Sequence, residues 1–179
     1  RRLRCPETPA RQPAARPSGI AETAAPATAA RAHLSKYAAL FGVEDAGTEL
    51  AVNRSYRSGA VDVVRFGQRQ GGVPVLAGEL AVSVDANGNL VSINGETGAT
   101  AATTTATVSA RAAANTAKAA VAKGARVDTG SLRATRPRLW IYDPALIGAP
   151  GVASARPAWR LQVGTTKGEP RRWTVLVDA

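Results

Sequence analysis

A helical period followed by strand periods occurs twice along this chain, and that order constrains the fold more than any other feature. Between Ala27 and Phe41, the residues Leu34, Tyr37, Ala38 and Phe41 recur at i, i+3, i+4 and i+7, and Gly42 supplies a stop. A helix with one apolar stripe has to bury it, so a sheet is expected next. Val61 to Gln68 is rich in β-branched residues, Val73 to Leu76 is short and apolar, and Glu79 to Val84 alternates so that Leu80, Val82 and Val84 share a face. Asp85-Ala86-Asn87-Gly88-Asn89 holds an Asn-Gly pair that tolerates positive φ, which lets Leu90 to Asn94 return antiparallel.

The second occurrence begins at Ser109, a plausible N-cap for a helix to about Ala122, with Lys123 in its last turn and Gly124 as its punctuation. Its stripe is built from Ala113, Ala117, Ala120 and Val121. Leu139 to Tyr142, Trp159 to Val163 and Trp173 to Val177 read as strands, the last two with Trp159, Leu161 and Val163, and Trp173, Val175 and Val177, on single faces. Residues 98–107 have neither a large apolar side chain nor a charge, so they read as a linker without an anchor. Residues 1–26, with Pro6, Pro9, Pro13, Pro17 and Pro26, read as a flexible basic leader. The expected class is α+β, in two small units over residues 27–97 and 108–179, each a helix on an antiparallel sheet.

The residues that would carry chemistry are scarce. One His, His33, and one Cys, Cys5, cannot make a tetrahedral zinc site, and no H-E-x-x-H occurs, because His33 is followed by Leu34-Ser35-Lys36-Tyr37. Neither a phosphate loop, a dinucleotide fingerprint nor a G-x-S-x-G elbow is present. His33 reads as a surface or boundary residue and Cys5 as an exposed thiol. No apolar run approaches the roughly 18 to 20 residues needed to cross a bilayer. A chain that starts at Arg1 and lacks Met reads as a processed product or an excerpt of a longer precursor.

The net charge of +10 is unevenly placed. Residues 17–97 hold six basic and eight acidic residues, whereas residues 98–179 hold twelve basic and four acidic. A basic half attracts polyanions of any kind, through fields that salt screens. A nucleic-acid module would have only this charge in its favour, for there is no helix of clustered Arg, no aromatic RNP-like strand and no zinc finger.

The stretch VVRFGQRQGGVPVLAGELAVSVDANGNLVSINGETG resembles the FTP module, the fungalysin and thermolysin propeptide motif, through Arg65, Phe66, Gln68, Gly72, Val73, Pro74, Val75, Gly78, Gly88 and Gly95. The segment from Arg136 to Ala179 resembles the PepSY module that follows it in such precursors, through Leu139, Ile141, Tyr142, Pro144, Ala158, Trp159, Arg160, Val177, Asp178 and Ala179. The resemblance implies two cystatin-like modules and the pro-region of a secreted zinc metalloprotease, thermolysin-like or fungalysin-like. Such a pro-region is not an enzyme. It acts as intramolecular chaperone and inhibitor and is removed on maturation. Its partner is the catalytic domain, which alone holds the zinc; no cofactor, small-molecule substrate or membrane is implied for this chain. Arg160, Arg171 and Arg172 are candidate contacts to that partner. Trp140, Trp159 and Trp173 are expected as core aromatics, Pro74 at an edge or bulge, Gly72, Gly78 and Gly88 as backbone devices, and Arg65 and Gln68 paired with neighbouring strands. A stand-alone secreted inhibitor or structural PepSY protein, and less readily a nucleic-acid-binding module, stay open as alternatives.

Overall fold

The computed structural model describes residues 14–150 and 154–179. Cys5 and the first half of the expected leader lie outside the described residues. The chain is α+β. Helix α1 (Pro26–Tyr37) starts on Pro26, whose fixed φ suits a first turn, and runs into a 3-10 turn (Ala38–Phe41) that ends where Gly42 adopts φ 74°. A one-turn helix α2 (Ala46–Glu49), capped by Asp45, leads into β1 (Leu50–Ser58). Then follow β2 (Val61–Gln70), β3 (Val73–Val84) and β4 (Leu90–Glu96), each antiparallel to the strand before it. Helix α3 (Ala110–Ala125) precedes β5 (Leu132–Ala134), β6 (Arg138–Tyr142), β7 (Arg156–Thr165) and β8 (Arg172–Asp178). Strand β7 is the centre of this second half, with β6 and β5 end to end along one edge and β8 along the other.

The two halves are not separate sheets. Val75 of β3 pairs in parallel with Ile141 of β6, so all eight strands form one sheet. A sharp irregularity in β3 makes this possible. Gly67 faces Glu79 but Arg69 faces Pro74, so Val75 to Gly78 lie opposite Gln68 alone. Ala77 turns the chain there with φ 65°, which few non-glycine residues adopt. Two segments that the sequence presents as separate strands, Val73–Leu76 and Glu79–Val84, are thus one kinked strand whose first part reaches the second half. Pro74 sits next to that junction and has no N–H with which to extend the parallel ladder beyond a single pair.

The pairing fixes the layers. Val64 and Phe66 of β2 pack with Leu80, Val82 and Val84 of β3 against Ala30 and Leu34 of α1. Gln68 and Gln70 have the parity of Phe66, Val75 the parity of Gln70, and Ile141 that of Val75. Ile141 in turn shares a face with Leu161 and Val163, which pack under Ala117 and Val121 of α3. Both long helices therefore lie on the same side of the sheet. Between them a third apolar cluster, Val75, Ala101, Ile141 and Ala155, fills the joint.

Several expectations are corrected. Residues 98–101 are anchored, mainly by polar groups: the Gln68 amide accepts from Gly98 N (2.7 Å) and donates to Gly98 O (3.1 Å), and Gln70 does the same with Ala101 N (2.9 Å) and Ala99 O (2.8 Å). Ala99 N also donates to Asp143 Oδ2 at 2.8 Å, and Ala101 is buried. The second half of the leader is docked, with Ala14 bridged to Leu90 and Arg16 N donating to Asn89 Oδ1 (2.9 Å). His33 is neither surface nor boundary but 1% exposed, its Nε2 3.0 Å from the Gly88 carbonyl, which ties α1 to the β3–β4 turn. Helix α3 passes through Gly124 and stops at Arg126, which takes φ 54°; Ala120 faces solvent while Ala113, Ala117 and Val121 are buried. Strands β1 and β5 and helix α2 were not expected.

Candidate functional site: the open face of the sheet

With both long helices on one side, the other side of the sheet carries no helix among the described residues. Its residues follow from parity. In the first half they include Tyr56, Val63, Arg65, Gly67, Glu79 and Ala81, and in the second Arg133, Arg138, Trp140, Tyr142, Arg156, Arg160, Gln162 and Arg172. The first half of this face is mixed in charge and rich in small side chains. The second half is basic and aromatic and carries Arg133, Arg138, Arg156, Arg160 and Arg172, five of the twelve basic residues of positions 98–179; Arg111, Lys118 and Lys123 lie on α3, across the sheet.

Where the kink in β3 meets β6, the open face is hollowed into a cleft of about 980 Å³, lined from the first half by Arg65, Arg69 and Glu79 and from the second by Arg136, Arg138 and Arg160. Two side-chain arrangements set its electrostatics. Arg65 Nε donates to Glu79 Oε1 at 2.7 Å, and the second contact of the fork, from Nη2, goes to the same oxygen. The hydrogen bonds from Arg65 and the adjacent negative charge hold the guanidinium above its ordinary pKa. On the other wall the Arg160 guanidinium lies 5.3 Å from the Trp140 ring centroid and covers that ring. Among the described residues Arg69, Arg136, Arg138 and Arg160 have no carboxylate within 4.0 Å; Arg69 instead donates to Gly72 O at 3.1 Å.

The residues singled out in the sequence divide between scaffold and face. Phe66, Gln68, Val73, Val75 and Gly78 build the helix side and the joint. A Cβ at Gly78 would stand 2.7 Å from Gln68 Oε1, so a larger residue there would push the Gln68 amide off Gly98. Gly71 and Gly72, at φ 53° and 80°, make the two-residue turn between β2 and β3. Pro144 is buried at the start of a 3-10 turn that Asp143 caps through Ala145 N (3.0 Å), so Asp143 joins the cap to the connector. Trp159 is half-buried on the helix side and donates its Nε1–H to Val108 O at 2.8 Å, fixing the entry of α3.

Trp140 is not a core aromatic: it lies half-buried on the open face under Arg160. Tyr142 and Asp178 are brought together by Arg156, a residue that sequence reasoning passed over. The Arg156 guanidinium lies 5.1 Å from the Tyr142 ring centroid and its Nε donates to Asp178 Oδ1 at 2.8 Å. Of the three candidate contacts, Arg160 and Arg172 share the open face. Their cross-strand partners on β7 and β8 place them four positions apart, about 13 Å at strand spacing. Arg171 stands apart from them in the β7–β8 turn, paired with Glu169 at 2.9 Å. Arg69, Arg136 and Arg138 were missed, because their convergence depends on the kink in β3. Among the described residues no group of three or more His, Cys, Asp and Glu side chains is placed to hold a metal, and no described helix is long and apolar enough to cross a membrane.

No curated protein matches the chain significantly. Among solved structures, the Bacillus megaterium YpeB C-terminal domain aligns over 89% of this chain at 12% identity and a TM-score of 0.39, and the chain spans 63% of that structure's length. The family comparison is local: residues 48–97, under a third of the chain and running from the end of α2 through β4, match the Fungalysin/Thermolysin Propeptide Motif.

Proposed function

We propose that this chain is the pro-region of a secreted zinc metalloprotease, a folding helper and inhibitor of the catalytic domain that is removed on maturation. The observation that carries the reading is the family match over residues 48–97, which covers the kinked β3 and the strands around it. The resemblance of the second half to a PepSY module fits the same precursor. A pro-region that binds the folded catalytic domain better than its unfolded chain stabilises the native enzyme by mass action, and one that also binds the folding transition state lowers the barrier to it. The open face supports a docking role, because the described helices cover one side of the sheet and the other presents Arg133, Arg138, Arg160 and Arg172.

The test is to mix the chain with a separately produced catalytic domain of the metalloprotease it precedes, then follow cleavage of a small peptide and the yield of refolding. Inhibition at micromolar concentration or below, with association that slows as salt rises, is the expected result. Charge reversal at Arg160 and Arg172 should slow association more than reversal at Arg171, whose charge Glu169 already offsets. Neither inhibition nor any effect on refolding would reject the reading.

A further inference from the structure

We propose that the cleft at the kink is a binding site for an extended acidic peptide segment of a protein partner, held between two walls of arginine. The inference stands on the cleft's own geometry and holds whether or not the partner is a protease. Arg138 and Arg160 are directly cross-strand on β6 and β7, so their side chains leave the sheet about 5 Å apart. Like charges so placed repel unless a counter-charge sits between them. Among the described residues none does, and Arg136 adds a third cation to the same wall. Arg69 faces them from the β2 side, and Pro74 and Leu76 give the cleft apolar surface between the walls.

An extended peptide throws successive side chains to opposite sides. Where two acidic residues adjoin, it can therefore present carboxylates to both walls at once while its backbone rests on the floor, and arginine forks suit carboxylates. A nucleic acid fits less well on two counts. Base stacking needs an open aromatic face, and Arg160 already covers the Trp140 ring. The Glu79 carboxylate, within the cleft and paired with Arg65, repels any anion, and a peptide can set an apolar residue beside it where a phosphate chain carries a charge at every unit.

The experiment uses the full chain and a fluorescein-labelled peptide of about a dozen residues repeating Glu-Glu-Leu-Leu, which sends carboxylates to both sides and is long enough to span a cleft of this size, read by fluorescence anisotropy over a salt series. Comparison probes are the same peptide with Lys for Glu and a single-stranded oligonucleotide of equal charge. Saturable binding of the acidic peptide alone is expected. It should weaken by about tenfold in the double variant Arg138→Glu/Arg160→Glu and by less than about twofold in Arg111→Glu, an exposed site on α3 across the sheet. Circular dichroism checks the fold. Should the glutamate pair fail to fold, Arg138→Gln/Arg160→Gln replaces it, with an expected loss of about threefold. Equal weakening by Arg111→Glu would reduce the effect to net charge and overturn the site. Tighter binding of the oligonucleotide, or no saturable binding of the acidic peptide, would overturn it as well.

Discussion

A glutamine side chain carries the same donor and acceptor as a peptide group, and Gln68 uses both on Gly98 in a site where it is itself 2% exposed. Replacing it with Leu keeps the volume and leaves the Gly98 N–H and C=O without partners, at about 1–3 kcal/mol for each buried group. The Gln68→Leu chain should therefore unfold at a clearly lower urea midpoint with an unchanged slope. A midpoint within error of the parent would show that the clamp carries no stability. Part of this was legible in the sequence. Positions 64, 66, 68 and 70 share one parity, and the change from Val and Phe to two glutamines marks where an apolar cover gives way to a polar one. What the sequence could not identify was the cover itself, since an Ala- and Thr-rich segment shows no apolar anchor when it is fastened through its backbone.

At the scale of elements, two termini offer measurements. The Asp85 carboxylate organises the β3–β4 turn by accepting from Asn87 N (2.9 Å), Asn89 N (2.8 Å) and Asn89 Nδ2 (2.8 Å). Burial alone pushes its pKa up, but the hydrogen bonds from Asn89 and Asn87 and the charge of Arg16 outweigh that and leave it below the usual carboxylate value. A depressed folded pKa contributes stability that is complete above the unfolded value of about 3.9 and is lost as pH falls through the folded one. Melting temperatures taken from neutral pH to about pH 2.5 should thus fall less steeply in Asp85→Asn than in the parent; parallel profiles would refute this assignment. At the end of α3, Arg126 holds a left-handed conformation that costs an L-residue about 1 kcal/mol. Arg126→Gly should raise the melting temperature, since the strain relieved exceeds the extra entropy of a terminal glycine; a lower one would mean that the side chain contributes more than its backbone costs. The same positions explain what was read and what was not. The α1 stripe and the Asn-Gly turn were plain in the sequence. Strand β1 was not, because it is an edge strand with Leu50 alone fully buried and a register shift between Val52 and Arg54 that breaks its period. Strand β5 has only three residues, too few to show alternation.

For the whole molecule the joint decides cooperativity. Ile141 is 0% exposed and packs with Val75, Ala101 and Ala155, while the Gln68, Gln70 and Asp143 contacts bind the connector to both halves. The chain should melt in one transition whose van't Hoff and calorimetric enthalpies agree. Ile141→Ala, at a cost of about 2–5 kcal/mol for the lost packing, should split or broaden it, and two transitions in the parent would show that the joint is too weak to couple the halves. Helix-then-sheet, repeated, was legible in the sequence. The continuity of the sheet was not, because it rests on one pair of residues far apart along the chain and on a kink at an alanine.

That single pair also sets an order in time. Every strand pair of the first half is a hairpin, closed by a short turn, whereas Val75 must wait for Ile141 across β4, the connector, α3 and β5. Long closures are slow, and domains form as units from the N-terminus as a chain is made. The β3 edge therefore stands bare during synthesis at Val73–Val75, where a neighbouring chain could add a strand. Pro74 lies in the middle of that edge and withholds the N–H such an intruder would need, so the residue that limits the finished joint to one pair is also the guard of the unfinished one.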